Sequence, residues 1–92
     1  MNFEMKLVFS KKADMNLMAQ EIMAICDDTG TTFLEQTENT ISYGSDSHDQ
    51  FGPAFVDLCF SDDIKNNLLD AIWTDLFDGS YSCKSDIFKV YL

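Results

Sequence analysis

The spacing of the apolar residues changes near the N-terminus, and this change constrains the fold more than any other feature of the sequence. From 2 to 10 apolar and polar side chains alternate, as they do on a half-buried strand. From 12 to 29 the apolar residues recur every three or four positions, as on one face of a helix, and Gly30 follows where a left-handed C-terminal cap is expected. The chain is therefore predicted to begin with a strand and then a helix.

Two further kinds of pattern predict the remaining elements. Alternating or β-prone segments predict strands at 31–36, 40–44, 54–60 and 86–92, and a polar surface loop is predicted at 45–53. A second helix is predicted from Ser61, a side-chain cap, to Gly79. Its apolar residues recur every four positions, at Ile64, Leu68, Ile72 and Leu76. The predicted order is β-α-β-β-β-α-β.

This order predicts an α+β fold in which two helices pack on one face of a mainly antiparallel sheet of four or five strands. It is close to the ferredoxin-like, split β-α-β plan with one extra hairpin strand. The chain has 92 residues, 46% of them hydrophobic, and neither a linker nor a low-complexity tract divides it. Residues 1–92 are therefore predicted to form a single domain.

The cysteines and the hydropathy indicate a cytoplasmic protein. Cys26, Cys59 and Cys83 are an odd number at unrelated spacings, which is typical of reduced thiols and not of a disulfide framework. We interpret all three as small core residues. The sequence contains no signal-peptide pattern and no run of about 18 apolar residues.

Few residues suggest catalysis or metal binding. The single histidine, His48, lies in a polar loop, whereas zinc sites usually need several histidines or cysteines at defined spacing. The glycines form neither a dinucleotide fingerprint nor a phosphate loop. We therefore expect no metal, no cofactor and no enzymatic activity. A small enzyme with Cys59 as nucleophile and His48 as base is the one catalytic alternative.

The charge of the chain bears most directly on its partners. The net charge is −10, all six basic residues are lysines, and arginine is absent. Electrostatic repulsion makes direct binding to nucleic acid or to an anionic membrane unfavourable. The expected partner is therefore a basic protein.

The acidic residues are regularly spaced along the two predicted helices. Asp14, Glu21 and Asp28 are seven residues apart, so on a helix they form one row with about 10 Å between neighbours. A similar row is predicted in the second helix, at Asp63, Asp70 and Asp78. Both helices are thus expected to present rows of carboxylates beside their apolar faces.

Several of these acids are predicted at helix C-termini, where a negative charge opposes the helix macrodipole and lowers stability. They are Asp27, Asp28 and Asp78. Acidic residues at positions where they lower stability are stronger evidence for a binding surface than acidic residues that only aid solubility. The predicted partner-binding surface consists of Asp14, Glu21, Asp27, Asp28, Glu35, Glu38, Asp46, Asp49, Asp62, Asp63, Asp70 and Asp78.

Two aromatic residues of the second predicted helix are candidates for an interface. Trp73 and Phe77 are four residues apart at the edge of an apolar arc wider than one sheet needs. We predict that they contact a second copy of the chain or the partner. The alternative is that both residues only cover the edge of the sheet.

In its length, acidity, lack of arginine and element order, the whole chain resembles the phage-encoded DNA-mimic inhibitors, most closely the anti-restriction proteins of the Arn type. The resemblance includes no sequence motif, so no functional residue is transferred. It implies a cytoplasmic, dimeric inhibitor that occupies the DNA-binding surface of a host restriction enzyme of the McrBC kind. At one charge per about 1.7 Å of duplex, ten charges match about half a turn of DNA, and a homodimer would match a whole turn.

Two other functions fit the same features. An anti-CRISPR inhibitor could use the same charge mimicry against a different target. An acidic, ferredoxin-like interaction or regulatory module would instead bind its partner through Trp73, Phe77 and the sheet, with acidity serving only solubility.

Overall fold

The structure, a computed structural model, describes residues 2–46, 61–77, 79 and 81–82. Within these residues it contains two helices and an antiparallel sheet, which confirms the α+β class. The elements in chain order are β1 (Phe3–Phe9), α1 (Met15–Thr29), β2 (Thr32–Gln36), β3 (Thr40–Ser45), α2 (Asp62–Asn67), β4 (Leu68–Asp75) and β5 (Tyr81–Ser82).

The strands are ordered β2-β3-β1-β4-β5, and every neighbouring pair is antiparallel. β1 is central, with Leu7 opposite Ile41 of β3 on one side and opposite Ala71 of β4 on the other. β1 and β2 therefore run in the same direction with β3 between them, and α1 connects them. The fifth strand is only two residues long.

The hydrophobic core lies on one face of this sheet. Alternation along β1 directs Met5, Leu7 and Phe9 to that face, where each is at most 1% exposed. α1 contributes Ile22 and α2 contributes Ile64 to the same cluster of buried residues. Both helices therefore contribute to the core on this face of the sheet.

The first half of the chain follows the sequence prediction closely. Strands were expected at 2–10, 31–36 and 40–44, and each is present within one residue of those bounds. α1 begins later than predicted because Asp14 is its N-cap: the Asp14 carboxylate accepts hydrogen bonds from the backbone N–H groups of Asn16 and Leu17, both at 3.2 Å. The helix ends as predicted at Gly30, whose φ is 74° and whose N–H donates to the Cys26 carbonyl.

The predicted second helix, from Ser61 to Gly79, is wrong over most of its length. Ser61 does cap a helix, but α2 ends at Asn67 and the chain continues as strand β4. A spacing of four residues is also a multiple of two, so the apolar pattern that suggested a helix fits a strand equally well. β-branched and aromatic residues in β4 favour the strand, namely Ile72, Trp73 and Thr74.

A bulge in the pairing with β1, between Val8 and Phe9, sets which residues of β4 face the core. It places both Leu68 and Ala71 in the buried cluster, so the side chains do not follow simple alternation there. Gly79 has the positive φ expected of it, 71°, but in the turn after β4 and not at a helix end.

Three predicted segments lie wholly or mostly outside the described residues. They are the strands at 54–60 and 86–92 and the part of the surface loop from 47 to 53. In the part of the chain that the structure describes, no helix has the length and apolar character needed to cross a membrane.

Candidate functional site

The described part of the chain has a strongly negative surface. It contains twelve acidic residues and four lysines, a net charge of −8, and none of the acidic residues is buried. Glu4, Glu21, Asp70 and Asp75 are half-buried. The exposed acids are Asp14, Asp27, Asp28, Glu35, Glu38, Asp46, Asp62 and Asp63. Two members of the predicted surface, Asp49 and Asp78, lie outside the described residues.

The predicted row on the first helix is not a uniform set of solvent-facing charges. Asp14 precedes the helix and caps it, so its carboxylate is engaged by two backbone N–H groups. Glu21 is half-buried, and its Oε2 accepts a hydrogen bond from the Ser61 hydroxyl at 2.7 Å. Two of the three acids therefore stabilise the fold, one at the start of α1 and one between the two helices.

Asp27 and Asp28 differ from these two because both are exposed in the last turn of α1. That turn contains no basic residue, so the macrodipole opposes both charges, as predicted. At about 100° per residue, Asp28 lies about 20° from Glu21, on the flank that faces α2. Asp27 lies about 120° away, on the other flank of the helix.

The predicted row on the second helix does not exist as a helical row. Asp63 lies in the first turn of α2 with Asp62, where negative charges favour the macrodipole. Asp70 belongs to β4, where its Oδ1 accepts a hydrogen bond from the backbone N–H of Ala71 at 2.8 Å. The spacing of seven residues therefore has no structural meaning in this segment.

The helix acids nevertheless form a cluster. The hydrogen bond between Glu21 and Ser61 places Asp62 and Asp63, the next residues of the chain, beside the middle of α1. Asp28 lies on the same flank of α1, about two turns further along and about 10 Å from Glu21 along the axis. The helical layer thus presents carboxylates from both helices on neighbouring surfaces.

The hairpin of β2 and β3 presents two more predicted acids. Glu35 is paired with Ser42, which in turn lies opposite Lys6, so Glu35 is on the sheet face away from the helices. Glu38 lies in the turn and lines a surface depression together with Lys11 and Asn39.

Asp46, the last of the predicted acids in the described part, follows directly after β3 and is exposed. Its backbone carbonyl accepts a hydrogen bond from the Asn2 side chain at 3.0 Å. This bond fixes the end of β3 to the start of the chain.

The structure separates the two aromatic residues that were predicted to share an interface. Trp73 lies in β4, is half-buried, and packs on the core with its ring edge-to-face on Phe3 at a centroid distance of 6.2 Å. Phe77 lies in the turn after β4 and is 83% exposed, and the neighbouring Leu76 is 48% exposed. Only Phe77 keeps the properties of an interface residue.

Cys26 is the one cysteine among the described residues. Cys26 is buried in the core, as predicted, and its pKa is raised by burial and by the nearby Asp27 charge, although a hydrogen bond with Thr31 opposes the shift. Among the described residues no group of three or more histidines, cysteines and acids is arranged to bind a metal ion. Cys59, Cys83 and His48 lie outside those residues.

Sequence reasoning missed the surface beside β2. Met23 on α1 and Leu34 on β2 are 45% and 40% exposed, although both are large apolar residues. On the helix, Met23 does not lie on the face formed by the buried Met18, Ile22 and Cys26. This position relative to the buried face is the only sequence signal that could have shown that Met23 is exposed.

Comparison with known proteins assigns no function, because no protein-family model, no curated protein and no solved structure matches the chain.

Proposed function

We propose that the chain is a phage-encoded DNA-mimic inhibitor, acting in the host cytoplasm, that binds the basic DNA-binding surface of a host restriction enzyme of the McrBC kind. The observation on which the proposal rests is the exposed pair Asp27 and Asp28 at the end of α1. Acids needed only for solubility could occupy any exposed position. Here two of them stand where each lowers helix stability by about 0.3–1 kcal/mol.

The mechanism follows from charge. Exposed carboxylates from α1, α2 and the hairpin offer the partner's lysines and arginines the acceptors that DNA phosphates would offer. Binding releases the counterions held by both surfaces and blocks access of DNA to the same groups. The chain itself contains no arginine and has a net charge of −10, so it has no comparable affinity for DNA.

Two copies are proposed to act together, since one chain supplies the charge of about half a turn of duplex. Phe77 and Leu76 support this part of the proposal, because an exposed aromatic residue beside an exposed leucine is a suitable contact between copies. Trp73 is left out of the proposed contact because it packs on the core.

Competition with DNA tests the proposal. The immobilised chain is incubated with bacterial lysate at 0.05 M and 0.3 M salt, with and without excess duplex DNA, and captured proteins are identified by mass spectrometry. We expect capture of DNA-binding proteins that duplex DNA displaces and that the higher salt releases, because exposed charges are screened within about 8–10 Å. Capture that neither DNA nor salt alters would refute charge mimicry.

A pair of variants separates mimicry from the alternative of an acidic interaction module. Asp27→Asn with Asp28→Asn is expected to weaken capture by each chain. Phe77→Ser is expected to change the oligomeric state but to leave the capture by each single chain sensitive to salt and to duplex DNA. The reverse pattern would favour the interaction module, for which the exposed Phe77 is the supporting observation. An anti-CRISPR inhibitor would give the first pattern with a different captured protein.

We also propose that the fold is of the ferredoxin-like, split β-α-β kind. Support comes from β3 lying between β1 and β2, from α1 connecting those two strands, and from both helices lying on one face. The two-residue β5 beyond β4 is an addition to that plan. An experimental structure that showed the same strand order across the whole chain would test this assignment.

A further inference from the structure

Among the described residues, no strand pairs with the outer edge of β2. β2 is the terminal strand of the described sheet, and four of its five residues are exposed. The Thr37 N–H donates to the Thr40 carbonyl at 2.9 Å, which makes Thr37 and Thr40 a hydrogen-bonded pair. Gln36, paired with Ile41, is the next pair of the ladder, so its N–H and C=O point away from β3.

Negative and apolar side chains flank this edge on both sides. Because Glu21 faces α2, the opposite flank of α1, with Met23, faces the β2 side of the sheet. Asp27, about 140° from the buried Ile22, lies between that flank and the solvent-facing side of the helix. Glu35 lies on the other face of the sheet, and Leu34 is exposed in the bulge between the two registers of the β2–β3 pairing. A strand added here would have the Glu35 carboxylate beside one row of its side chains, and the Asp27 carboxylate above the other row, further from the edge.

These charges determine which occupant fits. Pairing with β2 of a second copy would bring the two Glu35 carboxylates together between chains of net charge −10 each. Self-association is disfavoured at this edge, whereas an extended segment with positive side chains is attracted to it.

We propose that the β2 edge binds an extended, lysine- or arginine-rich segment of the partner as an additional strand. This inference rests on the proposed function for the basic character of the partner, and it adds the mode of recognition. Backbone hydrogen bonds to groups such as those of Gln36 hold the segment in place. Asp27 and Glu35 select its charge, and Met23 and Leu34 contact its aliphatic parts.

The test uses a defined probe in place of the unknown partner. An eight-residue peptide of alternating lysine and valine is titrated into the chain and followed by amide NMR and hydrogen exchange. We expect shifts concentrated at 32–36 and at least about tenfold slower exchange of the Gln36 N–H at saturation. The same peptide with every backbone amide N-methylated has the same charge but no N–H donors, and should bind about tenfold more weakly or not at all.

A matched pair of protein variants tests the charge contribution. The double variant Asp27→Asn, Glu35→Gln removes two negative charges beside the β2 edge. The double variant Asp62→Asn, Asp63→Asn removes two negative charges from α2. The first should weaken peptide binding by about three- to tenfold and the second by less than about twofold. Comparison of the two peptides does not depend on the folding of any variant.

The results that would overturn the proposal are specific to the edge. Equal binding of the N-methylated peptide, equal loss in both variants, or unchanged exchange at Gln36 would each eliminate strand addition. None of these results would affect charge mimicry, which stands or falls on displacement of the captured partner by duplex DNA. Peptide shifts centred on α2 would likewise leave mimicry intact and reject the edge.

Discussion

Two pairs of aspartates at opposite ends of helices allow a direct test of the reasoning about charge placement. Asp27 and Asp28 lie exposed in the last turn of α1, and Asp62 and Asp63 lie exposed in the first turn of α2. Changing either pair to asparagine changes the net charge of the chain from −10 to −8 and keeps the size of the side chains. The two double variants should nevertheless change the free energy of unfolding in opposite directions.

The expected magnitude follows from the helix macrodipole. An exposed charge at a helix end contributes about 0.3–1 kcal/mol, favourable at the N-terminus for an acid and unfavourable at the C-terminus. Asp27→Asn with Asp28→Asn should therefore stabilise the protein by about 1 kcal/mol. Asp62→Asn with Asp63→Asn should destabilise it by about 0.5 kcal/mol, because α2 has only six residues and a smaller dipole.

Relief of general repulsion between acids contributes to both variants and largely cancels in their difference. The difference between the two is about 1.5 kcal/mol, or about 6–12 °C in Tm for a domain of this size. Thermal and urea unfolding, followed by circular dichroism at low salt, measure it. In 1 M salt, where the Debye length is about 3 Å, the difference should shrink to a small fraction.

Two outcomes would refute this reasoning. Shifts of the same sign and size in both variants would mean that only net charge matters, and a difference that 1 M salt leaves unchanged would mean that the effect is not electrostatic. A third outcome bears on function: if the more stable variant, Asp27→Asn with Asp28→Asn, still captured the partner as well as the wild type, these acids would not serve binding.

Three further predictions concern residues whose roles the structure assigns. Ser61→Ala and Glu21→Gln should each lower the free energy of unfolding by about 1 kcal/mol. Because the two side chains share one hydrogen bond, the loss measured by urea unfolding of the double variant should be smaller than the sum of the two single losses. Trp73→Ala should lower the free energy of unfolding by about 2–3 kcal/mol, because Trp73 packs on the core. Phe77→Ala should change the free energy of unfolding by less than about 0.5 kcal/mol, because Phe77 is exposed. Phe77→Ala should instead reduce the fraction of any dimer measured by analytical ultracentrifugation. Burial raises the pKa of the Cys26 thiol, so the protonated thiol stabilises the fold below its ordinary pKa and this contribution is lost as the pH rises through the raised value. The stability gap between wild type and Cys26→Ala, measured by urea unfolding from pH 7 to 10, should narrow above about pH 9.

The first half of the fold could be predicted because local and long-range preferences agree there. β1 alternates strictly and lies at the centre of the sheet, so the side-chain period alone determines which residues are buried. α1 has a three-and-four period that no strand can satisfy, a capping Asp14 and a terminal Gly30. Each of these signals acts within a few residues and needs no knowledge of the partner strand.

The segment after Ser61 could not be predicted in this way because its pattern fits two structures. The cap, the two acids and the four-residue spacing favour a helix, and the first six residues do form one. From Leu68 onward the segment pairs with the free edge of β1, and this tertiary pairing overrides the helical pattern. No local feature of the sequence shows that β1 has a free edge with which this segment can pair.

The same limit explains the outcome for the candidate site. Spacing along the sequence predicted that Asp14, Glu21 and Asp28 form one row. The backbone of α1 does place Glu21 and Asp28 on one side of the helix, whereas Asp14 precedes the helix. Whether a carboxylate is available to a partner, however, depends on what already bonds to it, and Ser61 is forty residues from Glu21 in the sequence. Hydrogen bonds over such separations cannot be read from periodicity.

The acids that do bond within the fold need no further explanation, since capping and helix-to-helix contacts account for Asp14 and Glu21. The remaining question concerns the acids without such a use. Asp27 and Asp28 oppose the dipole of their own helix. An arrangement that lowers stability at two positions is most simply explained by a gain elsewhere, and a basic partner at the end of α1 and along β2 would supply that gain. For this reason binding and stability should change in opposite directions at Asp27 and Asp28.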